Sequence, residues 1–190
     1  MSTTVTRLSL PGLTLFKPRV FEDERGMLMV RFIADELEQH GIPTTFKQYN
    51  HARSKRGTLR GMHFQTGDYA QGKLVGVTHG VVLDIAIDLR RSSPTFGQAE
   101  AVLLDDASGR QLWVPRGFAH GYLVLSDTAD LCYHVDNDYA PDYESGIRWD
   151  DPIVRDLWTL DEFGLHEDEL VISSKDEHLP GFQEAGEYFA

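Results

Sequence analysis

Cysteine occurs once in these 190 residues, at Cys132. One thiol cannot form an internal disulfide, which fits a reducing compartment. No apolar run approaches the roughly 20 residues that a membrane-spanning helix needs. The opening Met1-Ser2-Thr3-Thr4-Val5-Thr6-Arg7 lacks the basic-then-apolar layout of a secretory signal. The expectation is a cytoplasmic protein without a membrane partner. Positive charge is also scarce: 18 Lys and Arg stand against 30 Asp and Glu, a net charge of −12. That balance argues against a broad nucleic-acid-binding surface. It leaves room for a ligand carrying a diphosphate, because such affinity depends on local donors, and Arg25, Arg60 and Lys73 are candidates.

Helical periodicity is sparse. Ala34 to His40 reads as a short helix and Asp161 to Glu169 as another turn or two. There is no internal repeat, low-complexity segment or linker, so residues 1–190 read as one domain with one sizeable core. What the chain has in quantity is short strands. Leu83, Ile85, Ile87 and Leu89 alternate with Asp84, Ala86 and Asp88, which puts the carboxylates on the face opposite the aliphatics. Further runs are Val102-Leu103-Leu104, Gln111 to Val114, Gly121 to Leu125 and Leu131 to Val135, separated by Asp-, Ser-, Gly- and Pro-rich turns. Strands at this spacing predict an all-β jelly-roll, a cupin-like barrel or sandwich with a few short peripheral helices. The more polar segment from about 152 to 190 is expected to wrap it.

Three clusters carry chemistry. In Arg60-Gly61-Met62-His63-Phe64-Gln65, followed by Lys73-Leu74-Val75, a histidine stands between two cations in strand-like sequence. Histidine is the commonest general base near neutral pH; a strand histidine hydrogen-bonded for structure is the plainer alternative. Strict alternation would put Arg60 and His63 on opposite faces, so both reach one site only if the strand bulges, which Gly61 permits. The second cluster is Pro115-Arg116-Gly117-Phe118-Ala119-His120-Gly121, and the third is Tyr133 with Tyr139. Pro115 to His120 is similar to the second motif of metal-binding cupins. The companion motif needs His-x-His and a downstream Glu, and here reads His63-Phe64-Gln65 with Lys73. A cation disfavours a metal in the same pocket, and too few ligands remain for a catalytic one. No metal and no cofactor are expected.

Together these clusters resemble the dTDP-4-dehydrorhamnose 3,5-epimerase family, from about Gly12 to Pro180. The resemblance implies an isomerase of deoxysugar biosynthesis that inverts C3, C5 or both beside the ketone of a nucleoside-diphosphate 4-keto-6-deoxy sugar. It casts His63 as the base, and matches Ser173-Ser174-Lys175-Asp176 to the element whose aspartate, here Asp176, pairs with that base. It makes Tyr133 the opposite-face acid and Lys73 the cation at the enolate oxygen. Arg60 would bind the diphosphate, Tyr139 would line the substrate, and Asp84 would hold His120 near the sugar. It further implies a homodimer in which Arg25, Gln48 and Asn50 of the partner complete each nucleotide site. Met27 and Val30 depart from the family's aromatic and acidic residues near the base, and Tyr49 and Gly76 from a more usual acid and arginine. The alternatives are a metal-dependent cupin enzyme and a non-catalytic sugar-binding jelly roll.

Overall fold

The computed structural model describes residues 3–185, 188 and 189. Two antiparallel sheets face each other. Six strands form one sheet in the order β1 (Thr4–Arg7), β2 (Thr14–Lys17), β10 (Gln111–Val114), β7 (Lys73–His79), β12 (Thr128–Val135), β5 (Gln48–Lys55). The other runs β13 (Glu144–Gly146), β6 (Leu59–Gln65), β11 (Phe118–Val124), β8 (Val81–Asp88), β9 (Ala99–Asp105). Neighbours in space are rarely neighbours in sequence, as the crossing connections of a jelly roll require. A separate hairpin, β3 (Val20–Asp23) with β4 (Gly26–Met29), stands outside both sheets. The strands read from alternation are present, and the expected first helix is α1 (Ala34–Gln39). The second expected helical stretch breaks into 3₁₀ turns at Leu160–Phe163 and Glu167–Glu169. Among the described residues no helix is long and apolar enough to cross a membrane.

The alternation in β8 resolves in a way its pattern leaves open. The aliphatic face, Leu83, Ile85, Ile87 and Leu89, points away from the barrel and packs with Met62, Phe64, Leu123, Ile147, Val154 and Trp158. Described residues after β13, among them Ile147, Val154 and Trp158, pack over this outer face, and Trp158 is fully buried there with Nε1 donating to the Trp149 carbonyl at 2.8 Å. Burying each such side chain is worth about 1.5–3 kcal/mol. The inward face therefore carries Val82, Asp84, Ala86 and Asp88. Between the sheets a second apolar cluster, including Val75, Val77, Val82, Ala86, Leu104, Leu112 and Leu131, fills one end of the barrel. The other end is left polar. The two inward carboxylates have different fates: Asp88 accepts from Arg90, Ser93 and Thr95, whereas Asp84 is fully buried and holds His120, which lines the site. Burial opposes ionisation of Asp88, but those donors win and bring it down to about 2.

Strand β6 carries the bulge that Arg60 and His63 need. His63 lies opposite His120 and Arg60 opposite Tyr122, so the two residues Gly61 and Met62 face Gly121 alone. The extra residue returns both side chains to the interior. Only glycine fits here: a Cβ on Gly61, whose φ is +121°, would lie 2.6 Å from the Gly121 Cα and 2.8 Å from the His120 carbonyl oxygen.

Candidate active site

The polar end of the barrel holds a cavity of two lobes, about 460 and 240 Å³. Arg60, His120, Tyr122 and Lys175 line the larger lobe; Gln48, Asn50, Gln65, Gln71, Tyr139 and Glu144 line the smaller. His63, Lys73 and Tyr133 line both. The three side chains singled out for base, enolate cation and acid therefore stand where the lobes meet.

His63 is oriented by a carboxylate 113 positions away: its Nε2 lies 2.8 Å from Asp176 Oδ1. Ser173 caps the short helix α2 (Ser174–Glu177), accepting from the Asp176 amide at 3.1 Å, and so presents Asp176 to the barrel. The other carboxylate oxygen accepts from the Gly61 amide at 3.2 Å, tying helix, bulge and histidine together. Burial acts to raise the Asp176 pKa, but hydrogen bonds from His63 and Gly61 and the charge on His63 outweigh it and hold the group below its ordinary value. An ionised carboxylate only accepts, so in the neutral imidazole Nε2 carries the proton and Nδ1 the free lone pair. That is the tautomer a general base needs.

Lys73, on β7, is enclosed by the cavity wall, with Nζ 3.3 Å from the His63 carbonyl oxygen. Desolvation lowers its pKa to about 8, against the opposing pull of Asp84 and Glu144. Tyr133 projects from β12, where it faces Asn50 and Val75 in register. Burial raises its pKa, the nearby Tyr122 adds to this and Arg60 opposes it, so it stays a protonated phenol near neutrality. Opposite His63, His120 Nε2 lies 2.9 Å from the fully buried Asp84. Arg60 Nε reaches Ser54 Oγ at 3.3 Å.

Gln48 and Asn50 line this chain's own cavity. This corrects the expectation that they reach a neighbouring subunit's site. The reason is register: even-numbered positions of β5 face the interior, and Asn50 is paired with Tyr133. Arg25 does stay away from the cavity, at the tip of the β3–β4 hairpin, ion-paired to Asp23 at 2.5 Å. Met27 and Val30 are outside the cavity lining too. Tyr49 lies on the outer face against His134, with ring centroids 4.5 Å apart. Arg31 crosses the same face, fills the space above Gly76 and donates to the Val77 carbonyl at 2.7 Å.

Sequence reasoning passed over Glu144 and gave Lys175 no role. Glu144 accepts from Tyr139 Oη at 2.9 Å and from Lys175 Nζ at 2.6 Å, a clasp across the mouth. Burial acts to raise Glu144, but Lys175 and Tyr139 hold it below its ordinary value. Only the adjacency of Lys175 to Asp176 signalled this in the sequence. Among the described residues no three His, Cys, Asp or Glu side chains are grouped to hold a metal ion.

A jelly roll with a carboxylate-oriented histidine on one wall and a phenol and an ammonium on the other defines a class of protein, a barrel built for proton transfer at carbon. The profile of the dTDP-4-dehydrorhamnose 3,5-epimerase family matches residues 7–184. The chain is 44% identical to the Pseudomonas aeruginosa enzyme of that name over 181 residues, 95% of this chain and 96% of the relative. It is 43% identical to the Escherichia coli K12 enzyme, covering 92% of each. A solved structure of dTDP-6-deoxy-D-glucose-3,5-epimerase from Legionella pneumophila, in complex with dTDP-4-keto-L-rhamnose, superposes with a TM-score of 0.87 at 38% identity, covering 96% of this chain and 94% of that one. The chain belongs to the dTDP-4-dehydrorhamnose 3,5-epimerase family.

Proposed function

We propose that this protein is an isomerase of deoxysugar biosynthesis that inverts C3, C5 or both of a nucleoside-diphosphate 4-keto-6-deoxy sugar. The observation that supports the reading is that His63 and Tyr133 stand on opposite walls: His63 comes from the five-stranded sheet and Tyr133 from the six-stranded one. Inversion requires a proton to leave one face of a carbon and return to the other.

His63 Nδ1 takes the proton beside the ketone, and the C–H electron pair moves onto the carbonyl oxygen as an enolate. Lys73 meets that developing charge, the kind of fixed interaction that supplies several kcal/mol to such barriers, about 3–4 for one removed donor. Tyr133 then gives its proton to the carbon from the far side, and exchange with solvent resets both groups. Asp176 stabilises the imidazolium formed on the way. Arg60, which shares the larger lobe with Lys175, supplies charge for the diphosphate, where a guanidinium's fork suits phosphate oxygens. The amides of Gln48 and Asn50 and the Tyr139 hydroxyl suit the ligand's uncharged oxygens, and the buried Asp84–His120 pair lies beside the sugar.

The same reading makes residues 1–190 one domain of a cytoplasmic homodimer. Its support is the hairpin, which holds Met27 and Leu28 at 56% and 67% exposure, more apolar surface than an isolated arm needs. Docked on a second copy, the hairpin would carry Arg25 toward the partner's cavity.

The test is solvent deuterium wash-in, read at C3 and C5 separately, over 4-keto sugars carried on thymidine, uridine, cytidine and guanosine diphosphates. Label with inversion at one or both carbons is expected for at least one substrate. Turnover without label would remove proton abstraction from the mechanism.

A further inference from the structure

Gln65 has no part in the steps above, although it shares β6 with His63 and lines the smaller lobe. In the sequence its position stood out only for lacking a second metal ligand. Phe64, between the two, packs in the outer apolar cluster, so His63 and Gln65 both point inward. Gln65 is 5% exposed, and its carboxamide is engaged at both ends. Nε2 donates to the Tyr69 carbonyl at 2.7 Å and to the Asp138 carbonyl at 3.1 Å, and Oε1 accepts from the Ala140 amide at 2.7 Å. Two of those three partners are the residues on either side of Tyr139. The other closes the 3₁₀ turn Gly67–Tyr69 against them.

Tyr139 needs such a hold. It is 54% exposed, so little packing fixes its ring. Its hydroxyl donates to Glu144 at 2.9 Å, and Glu144 lies directly across from Gln65 in the β6–β13 ladder. One rung of the sheet therefore holds the tyrosine twice, by its flanking backbone and by its hydroxyl. A carboxamide is what the backbone end requires, since two carbonyls need donors and one amide needs an acceptor. A carboxylate there would set its charge against both carbonyl oxygens. The phenol's one hydrogen is spent on Glu144, so Tyr139 offers a ligand a lone pair, which suits a sugar or ribose hydroxyl.

We infer that Gln65 is a positioning residue for Tyr139: its buried carboxamide grips the chain on both sides of the tyrosine and, with Glu144, fixes where the hydroxyl stands in the smaller lobe. This rests on the reading of Tyr139 as lining the bound ligand. A half-exposed tyrosine on an irregular loop would otherwise have to be ordered when the ligand arrives, which weakens binding. Both Nε2 hydrogens of Gln65 are committed to the loops. Oε1 keeps one free lone pair, so direct contact with the ligand is the rival role.

The experiment is a double-mutant cycle on initial rates with thymidine-diphosphate 4-keto-6-deoxyglucose, using wild type, Gln65→Met, Tyr139→Ala and the pair. Gln65→Glu, which keeps the length and the acceptor, runs beside Gln65→Met so that the cycle closes on a folded protein. Tyr139→Ala should lower kcat/KM about two- to tenfold, the value of one net hydrogen bond. Each Gln65 variant should lose no more than that, chiefly through KM. In the Tyr139→Ala background neither should lower kcat/KM further. The acid limb of kcat/KM, where His63 takes up its proton, should keep its midpoint in the Gln65 variants. Wild-type kinetics in both Gln65 variants overturn the inference. The same loss in both backgrounds also overturns it, by placing Gln65 on the ligand or in the fold alone. A displaced acid limb overturns it too, by showing that Gln65 acts through His63. Wild-type kinetics in Tyr139→Ala would instead overturn the reading of Tyr139 beneath it, and the inference would fall with it.

Discussion

The pKa of Lys73 gives the sharpest quantitative handle on the proposed mechanism. Desolvation brings it to about 8 from an ordinary 10.5, and only the ammonium form can stabilise an enolate. At that value about 90% of the free enzyme is charged at pH 7 and about 10% at pH 9, since each unit changes the ratio tenfold. The pKa is depressed, so the charge is present below about 8 and lost as pH rises through it. The profile of kcat/KM, which reports the free enzyme, should therefore fall about tenfold between pH 7 and 9. In the complex, substrate diphosphate adds negative charge nearby and raises the lysine again, so the matching limb in kcat should lie at higher pH. Lys73→Met should cost about 10²–10³ in kcat, the usual loss for one donor at a developing oxyanion. Lys73→Arg tests the assignment directly. A guanidinium stays charged throughout this range, so its residual activity, however reduced, should no longer fall between pH 8 and 9. Initial rates from pH 6 to 10 on both enzymes are the assay. If the alkaline limb keeps its midpoint in Lys73→Arg, Lys73 is not the titrating group and the electrostatic argument fails.

His63→Ala should lower turnover by about 10²–10⁴-fold; retention of more than half the wild-type rate would remove this histidine from the mechanism. Tyr133→Phe should separate exchange from inversion, because His63 can still remove and return a proton on its own face. Equal large losses in both would mean that Tyr133 is not simply the far-side acid. Leu28→Asp, which places a charge on the exposed apolar arm, should shift sedimentation from dimer to monomer and reduce activity; an unchanged dimer would show that the hairpin is not the contact. Activity should survive exhaustive chelation, since among the described residues no three His, Cys, Asp or Glu side chains are grouped to hold a metal ion and Lys73 opposes a cation. Activity lost on chelation and restored by zinc, iron or manganese would favour a metal-dependent enzyme.

Period and residue type made much of this molecule legible in the sequence. Alternation in β8 and the short runs of β9 to β12 specify strands, because side-chain direction along an extended chain follows a period of two. The identities of His63, Lys73 and Tyr133 follow from what each group can do with a proton or a charge. Gly61 was readable as the place where Arg60 and His63 could share a face. Which face of β8 would look inward was not readable: two-fold alternation is symmetric, and only the chain beyond β13, folding over the outer aliphatics, turns Asp84 inward to hold His120. The pairing of His63 with Asp176 was reached through resemblance, because Lys175-Asp176 alone reads as a solvated charge pair. Gln48 and Asn50 were assigned to the wrong subunit, since only the pairing of β5 with β12 aims them inward. Glu144 lies in a short edge strand with no periodic signal, and its role exists only where Tyr139 and Lys175 converge on it. Local chemistry follows from the residues in order. The contacts between distant strands were decided by the sheets closing on one another.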